Sequence, residues 1–136
     1  MYQKILVPMA LDHGLSKDTL EIAKALSGGN GEIIALHVYE APQGSVQAYL
    51  DDAAKEEGLA RARAELRAKT EHLDGVKAEM VIGHTYRTII EYAATHSIDC
   101  IVMGSHKLGF SDYLLGSTAA RVVRHARCAV HVYRRP

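Results

Sequence analysis

The strongest constraint on this chain is a regular alternation between short, β-branched apolar runs and longer stretches with helical periodicity. Ile5-Leu6-Val7 is a buried-strand pattern closed by Pro8, and Ile33 to Tyr39 is apolar along almost its whole length. Met80-Val81-Ile82, Ile98 to Met103 and Ala129 to Tyr133 repeat the pattern, the fourth run broken only by Asp99. Such continuous apolarity suits strands covered on both faces, as in a parallel sheet. Between the runs, Leu20, Ala23 and Leu26 (or Ala25) share one helical face, with Ser16 placed to cap it. Gly28-Gly29-Asn30-Gly31 stops that helix, because glycine and asparagine tolerate the left-handed conformation found at helix ends. From about Val46 to Leu73 the spacing is helical again, with Leu59, Leu66 and Leu73 at heptad intervals and Ala62 among them. Two heptads are too few for a coiled coil, so a core-facing helix is expected, with Gly58 as a point of bending or interruption. Thr85 to Thr95 and Gly116 to Ala126 supply the last two helices.

The resulting order, β-α-β-α-β-α-β-α-β, implies right-handed crossovers. The fold class is α/β: a Rossmann-like, open five-stranded parallel sheet with helices on both faces. A length of 136 residues fits one domain over positions 1–136 with a core large enough to fold without a staple.

Charge and composition narrow the function. Lys plus Arg equal Asp plus Glu at 16 each, so no basic excess exists to hold a nucleic-acid backbone. With no Trp and one Phe, the chain also offers little surface for stacking bases. No apolar stretch approaches the ~20 residues that span a bilayer, and the N-terminal apolar run is too short for a signal peptide. The reading is of a cytoplasmic protein with neither nucleic-acid nor membrane partners. Cys100 and Cys128 fall in apolar segments without metal-ligand spacing and are expected as small buried hydrophobes.

In an open parallel sheet, ligands bind beyond the carboxyl ends of the strands, where strand order reverses. The loops that matter are therefore 8–15, 40–45, 83–87 and 104–117. The last runs from a buried strand into a helix and contains the parts of a phosphate cradle. Gly104 and Gly109 let backbone amides approach an anion, and Gly116-Ser117-Thr118 opens a helix whose first amides have no upstream carbonyl. The hydroxyls of Ser117 and Thr118 add donors, Lys107 adds charge, and His106 lies in the same loop. The plainer alternative is that Gly104 ends a strand while Ser117 or Thr118 caps a helix. Neither a GxGxxG fingerprint nor a Walker A loop is present.

At these residues the chain resembles a known family. Gly104-Ser105-His106, followed by Tyr113-Leu114-Leu115-Gly116-Ser117-Thr118-Ala119-Ala120-Arg121-Val122-Val123-Arg124-His125-Ala126, is similar to the signature region of the universal stress proteins. Ile5-Leu6-Val7-Pro8, Leu36-His37-Val38 and Val130-His131-Val132 resemble further family blocks in the right order. The resemblance implies an adenine-nucleotide site. In it, Pro8 starts the first binding loop and Val38 bonds the adenine edge through its backbone. Met103 and Gly104 line the ribose and phosphate side, and Gly116, Ser117 and Thr118 hold the phosphates. The implied cofactor is ATP, with or without Mg²⁺. Lys107 stands where the second glycine of the ATP-binding branch is expected, the loop is one residue shorter, and Ala10 replaces an aspartate.

The resemblance also implies a homodimer through the last strand, Ala129, Val130, His131, Val132 and Tyr133, which would otherwise leave an apolar edge open. The functional expectation is an ATP-binding, nucleotide-responsive regulatory homodimer in the stress response. The alternative is an interaction module of the same fold that works without nucleotide, favoured by Lys107 and Ala10. Asp12, His84, Ser111 and Asp112 are scattered and form no catalytic constellation, so slow ATP hydrolysis is the most an enzymatic reading allows. The eight histidines show no metal spacing, and His37 and His131 read as core or interface residues.

Overall fold

The computed structural model describes residues 1–11, 16–40, 51–105 and 115–134, with the side chain of Ser16 excepted. Five strands, β1 (Lys4–Pro8), β2 (Glu32–Tyr39), β3 (Val76–Ile82), β4 (Cys100–Gly104) and β5 (Ala129–Tyr133), form one sheet in the order β3-β2-β1-β4-β5. Every pairing is parallel. Among the described residues four helices connect them: α1 (Ser16–Ser27), α2 (Asp52–Thr70), α3 (Thr85–Thr95) and α4 (Ser117–His125). The Rossmann-like α/β expectation holds.

Period-2 alternation divides the strand side chains between two cores. Ile5, Val7, Ile33, Ala35, Cys100 and Val102 pack with Leu20 and Ala23 of α1 and Leu66 of α2. Leu6, Ile34, Leu36, Val38, Ile101 and Met103 pack on the other face with Ile89, Tyr92 and Ala93 of α3 and with Ala119 and Val122 of α4. Ile5, Leu6 and Val7 are each 0% exposed, as the central strand of a two-faced sheet must be. Asp99, the polar interruption in the fourth run, lies just ahead of β4. Its carboxylate accepts the backbone N–H groups of Gln3 at 2.8 Å and Lys4 at 3.0 Å, satisfying amides at the entry to β1.

Several boundaries differ from the expected ones. Strand β3 starts at Val76, four residues before the apolar Met80-Val81-Ile82. It is an edge strand, so its first half is held by backbone pairing and carries the exposed Lys77 and Ala78. Tyr92 of α3 donates its hydroxyl to the Glu79 carboxylate, tying that edge to the helix layer. Strand β4 begins at Cys100 rather than Ile98. Helix α2 begins after Asp51, whose carboxylate caps it by accepting Ala54 N–H at 2.7 Å, and ends at Thr70 rather than Leu73. The expected helical residues 46–50 lie outside the described segments.

Gly58 does not interrupt α2, which runs unbroken through it. Its role is close approach. A Cβ built there would lie 2.6 Å from the Tyr39 hydroxyl, so glycine makes room for the end of β2. At the end of α1, Gly28 (φ 68°) and Gly29 (φ 85°) adopt the left-handed conformation expected of them. Cys100 is buried, with its thiol pushed up to about 11, chiefly by desolvation, whereas Cys128 is only half-buried.

The heptad leucines are not equivalent. Leu66 is 4% exposed within the core, while Leu59 is half-buried near the start of the helix. Leu66→Ala is therefore expected to cost about 3 kcal/mol and Leu59→Ala about 1 kcal/mol in urea unfolding. Equal losses would show that α2 does not use the leucine row as a graded core contact.

Candidate functional site

The two halves of the sheet wind outward from its middle. From β1 the chain builds β2 and β3 on one side, then returns to place β4 and β5 on the other. At the resulting switch point the loop after β1 leads to α1 on one face, while the loop after β4 leads to α4 on the opposite face. The connections diverge and a crevice opens between them.

A cavity of about 350 Å³ occupies this crevice. Its wall contains Pro8, Met9, Ala10 and Leu11 after β1, Leu36, His37 and Val38 at the end of β2, and Met103 and Gly104 at the end of β4. Gly116, Ser117, Thr118 and Ala119 close it from the start of α4, with Thr19 of α1 and Thr85 and Ile89 of α3 completing the lining. Seven of the ten residues singled out in the sequence, Pro8, Val38, Met103, Gly104, Gly116, Ser117 and Thr118, thus come together around one space. His106, Lys107 and Gly109 lie outside the described residues, as do Asp12, Ser111 and Asp112.

Sequence reasoning missed Thr19, Leu36, His37, Ile89 and Ala119. All five sit inside regular elements rather than in loops, and only the three-dimensional funnel between two helix layers brings them to the cavity. His37 read as a core or interface histidine. It is half-buried in β2, with Nδ1 2.8 Å from the Met9 carbonyl oxygen. It is also the only titratable side chain among the described residues lining the cavity.

Of the helix starts at this cavity, those of α3 and α4 are treated differently. Helix α3 starts at Thr85, where the cap residue His84 makes no side-chain cap bond. Glu40, just beyond β2, takes over that function: its carboxylate accepts Thr85 N–H at 2.8 Å and the Thr85 hydroxyl at 2.6 Å. These bonds, the hydroxyl's first, hold the Glu40 carboxyl below its ordinary value. Helix α4 instead starts after Gly116 (φ −59°, ψ 152°), which has no side chain with which to cap it. Its carbonyl accepts Ala120 N–H at 2.8 Å, whereas the amides of Ser117, Thr118 and Ala119 precede the first intrahelical bond. The cavity is apolar along the strand ends and rich in hydroxyls and helix-start amides along one side, a combination suited to an apolar ring carrying an anionic group.

Fold and cavity together define an open, doubly wound α/β protein with a cleft at its switch point. The chain belongs to the Universal stress protein family, whose profile matches residues 1–134. A universal stress protein of Methanocaldococcus jannaschii is 30% identical over 146 aligned positions, covering 100% of this chain and 84% of its own. The solved structure of universal stress protein UspA from Lactobacillus plantarum superposes with a TM-score of 0.78 at 26% identity, covering 98% of both chains. A universal stress protein solved in complex with cAMP shares the fold, with a TM-score of 0.72 at 21% identity over 98% of this chain and 97% of that one.

The Glu40 cap has a pH signature. A carboxyl with a lowered folded-state pKa stabilises fully above its unfolded value, and the effect fades as pH falls through the folded one. Glu40 is largely exposed, so screening keeps the contribution to about 0.5 kcal/mol. Glu40→Gln keeps the acceptor but removes the charge. Its Tm should lie below wild type at about pH 7 and converge with it as the pH falls through the lowered folded-state value of Glu40. A pH-independent difference would refute the charged cap.

Proposed function

We propose that this chain binds ATP in the switch-point cavity and works as a nucleotide-responsive regulatory protein of the stress response. The observation that carries the reading is the start of α4 at the cavity wall. There Gly116 has no side chain with which to cap the helix and no described residue caps it in its place, beside the Ser117 and Thr118 hydroxyls, while the neighbouring α3 already has the Glu40 carboxylate. An anion at α4 would take the place of the missing cap. The phosphates belong at Gly116, Ser117 and Thr118, with Met103 and Gly104 against the ribose and the Val38 backbone at the adenine. Pro8 begins the opposite wall. His106, Lys107 and Gly109 complete the phosphate loop in this proposal, Lys107 by its charge and Gly109 by close backbone approach. The relative solved with cAMP supports an adenine nucleotide as the ligand class.

Ala10 favours a second reading. It sits in the cavity wall with a methyl group where the ATP-binding branch is expected to present a carboxylate. An interaction module that works without nucleotide would keep the fold and leave the cavity unused. In either reading we place the protein in the cytoplasm as a homodimer paired through β5. Among the described residues that strand is hydrogen-bonded only to β4, and it leaves Ala129 and His131 exposed. No helix among the described residues is long and apolar enough to cross a membrane.

Calorimetry with ATP, with and without Mg²⁺, should give micromolar binding, and Gly116→Asp separates function from folding. Its backbone angles suit aspartate as a cap, so the variant should be as stable as wild type or about 0.5 kcal/mol more so. Its carboxylate would occupy the phosphate position and weaken ATP at least about tenfold, since removing charge-assisted bonds costs about 1.4 kcal/mol or more. Micromolar binding retained by Gly116→Asp would move the phosphates elsewhere, and no binding by the wild type would favour the interaction module. Separately, light scattering across a dilution series should show a dimer at micromolar protein; a monomer there would exclude stable β5 pairing.

A further inference from the structure

We infer that His37 and Lys69 are positioning residues for the first wall of the cavity, a side-chain clamp that sets segment 9–11 before any ligand arrives. The ligand in this inference rests on the nucleotide reading above; the clamp itself rests on hydrogen-bond geometry. Beyond Pro8 the chain leaves the strand, and Met9, Ala10 and Leu11 all line the cavity. Three bonds hold them. Met9 N–H donates to the Leu36 carbonyl at 2.8 Å, extending the β1–β2 ladder by one rung. The Met9 carbonyl lies 2.8 Å from His37 Nδ1, and because a carbonyl only accepts, that nitrogen carries the hydrogen. The Leu11 carbonyl accepts the Lys69 ammonium at 2.6 Å.

The clamp reaches the loop from two elements, β2 and the last turn of α2. Leu11 has no regular backbone partner of its own in the sheet, so the Lys69 bond does there what a strand would do elsewhere. A charged donor makes that bond roughly twice as strong as a neutral one. Peptide planarity gives the arrangement a further consequence. With the Met9 carbonyl turned to His37, the N–H of the same peptide, on Ala10, points the opposite way. Ala10 carries only a methyl group, so the backbone is what this position presents to a ligand, and the clamp decides its orientation.

The test pairs two removals with two rescues in the full chain. His37→Leu and Lys69→Met delete the donors, whereas His37→Asn keeps an N–H near the Nδ1 position and Lys69→Arg keeps a cation. The backbone 15N order parameters of Ala10 and Leu11, read by NMR without ligand, should fall from about 0.85 to below about 0.6 in the deletions and return towards wild type in the rescues. The amides of Ile5, Leu6 and Val7 should stay protected in all four, which separates local release from general loss of stability. ATP affinity by calorimetry should fall about tenfold in the deletions and recover in the rescues. Deletion variants with wild-type order parameters at Ala10 and Leu11 and ATP affinity within about twofold would overturn the clamp. If wild-type protein binds no ATP, the nucleotide reading fails, and the order parameters alone decide the clamp.

Discussion

Everything in this molecule depends on β1 lying between β2 and β4 with both of its faces covered. Burying Ile5, Leu6 and Val7 completely requires a helix layer on each side, and the chain supplies one with α1 and α2 and the other with α3 and α4. That demand forces the strand order to reverse beside β1. The reversal sends the connections after β1 and β4 to opposite faces, and no short loop can fill the gap they leave. The cavity is thus a consequence of how the core is built.

The electrostatics of the cavity come from backbone more than from side chains. Among its described lining residues only His37 is titratable, so the directional polarity is supplied by helix starts, carbonyls and hydroxyls. The starts of α3 and α4, both at its wall, differ. Glu40 satisfies the start of α3 across a separation of 45 residues, which leaves that dipole spent on an internal carboxylate. Helix α4 begins on a glycine that provides nothing comparable. In the proposed reading an anion would therefore be favoured at the start of α4, next to the hydroxyls of Ser117 and Thr118.

How much of this the sequence displays depends on whether a residue's signal is local. Central strands are legible because they are apolar throughout, and the start of α4 is legible because Gly116-Ser117-Thr118 is a contiguous word. Strand β3 is legible only in its second half, since Lys77 and Glu79 break the apolar run where Val76, Lys77 and Ala78 pair with β2 on an edge. Gly58 shows the opposite failure. Its helix-breaking propensity is visible in the sequence, whereas the Tyr39 hydroxyl that explains it comes from another element. Glu40, His37 and Lys69 are illegible for the same reason: each acts on a residue 28 to 58 positions away. A charged residue at a strand end or in the last turn of a helix looks like solvated surface until its partner is known.

The same distinction explains why the first wall needs support from outside itself. A binding loop without strand or helix bonds belongs to the least stable part of a fold, and ordering it on ligand arrival costs roughly 1–2 kcal/mol per residue. Bonds from β2 and α2 transfer that cost to the folding of the whole sheet, where the buried core offsets it. A ligand then meets a wall already in place and retains more of its contact energy as affinity. The arrangement also links the cavity to α2, because Lys69 cannot hold the Leu11 carbonyl unless the last turn of that helix is formed. Any event that loosens that turn therefore reaches the cavity wall through a single ammonium, without passing through the central strands.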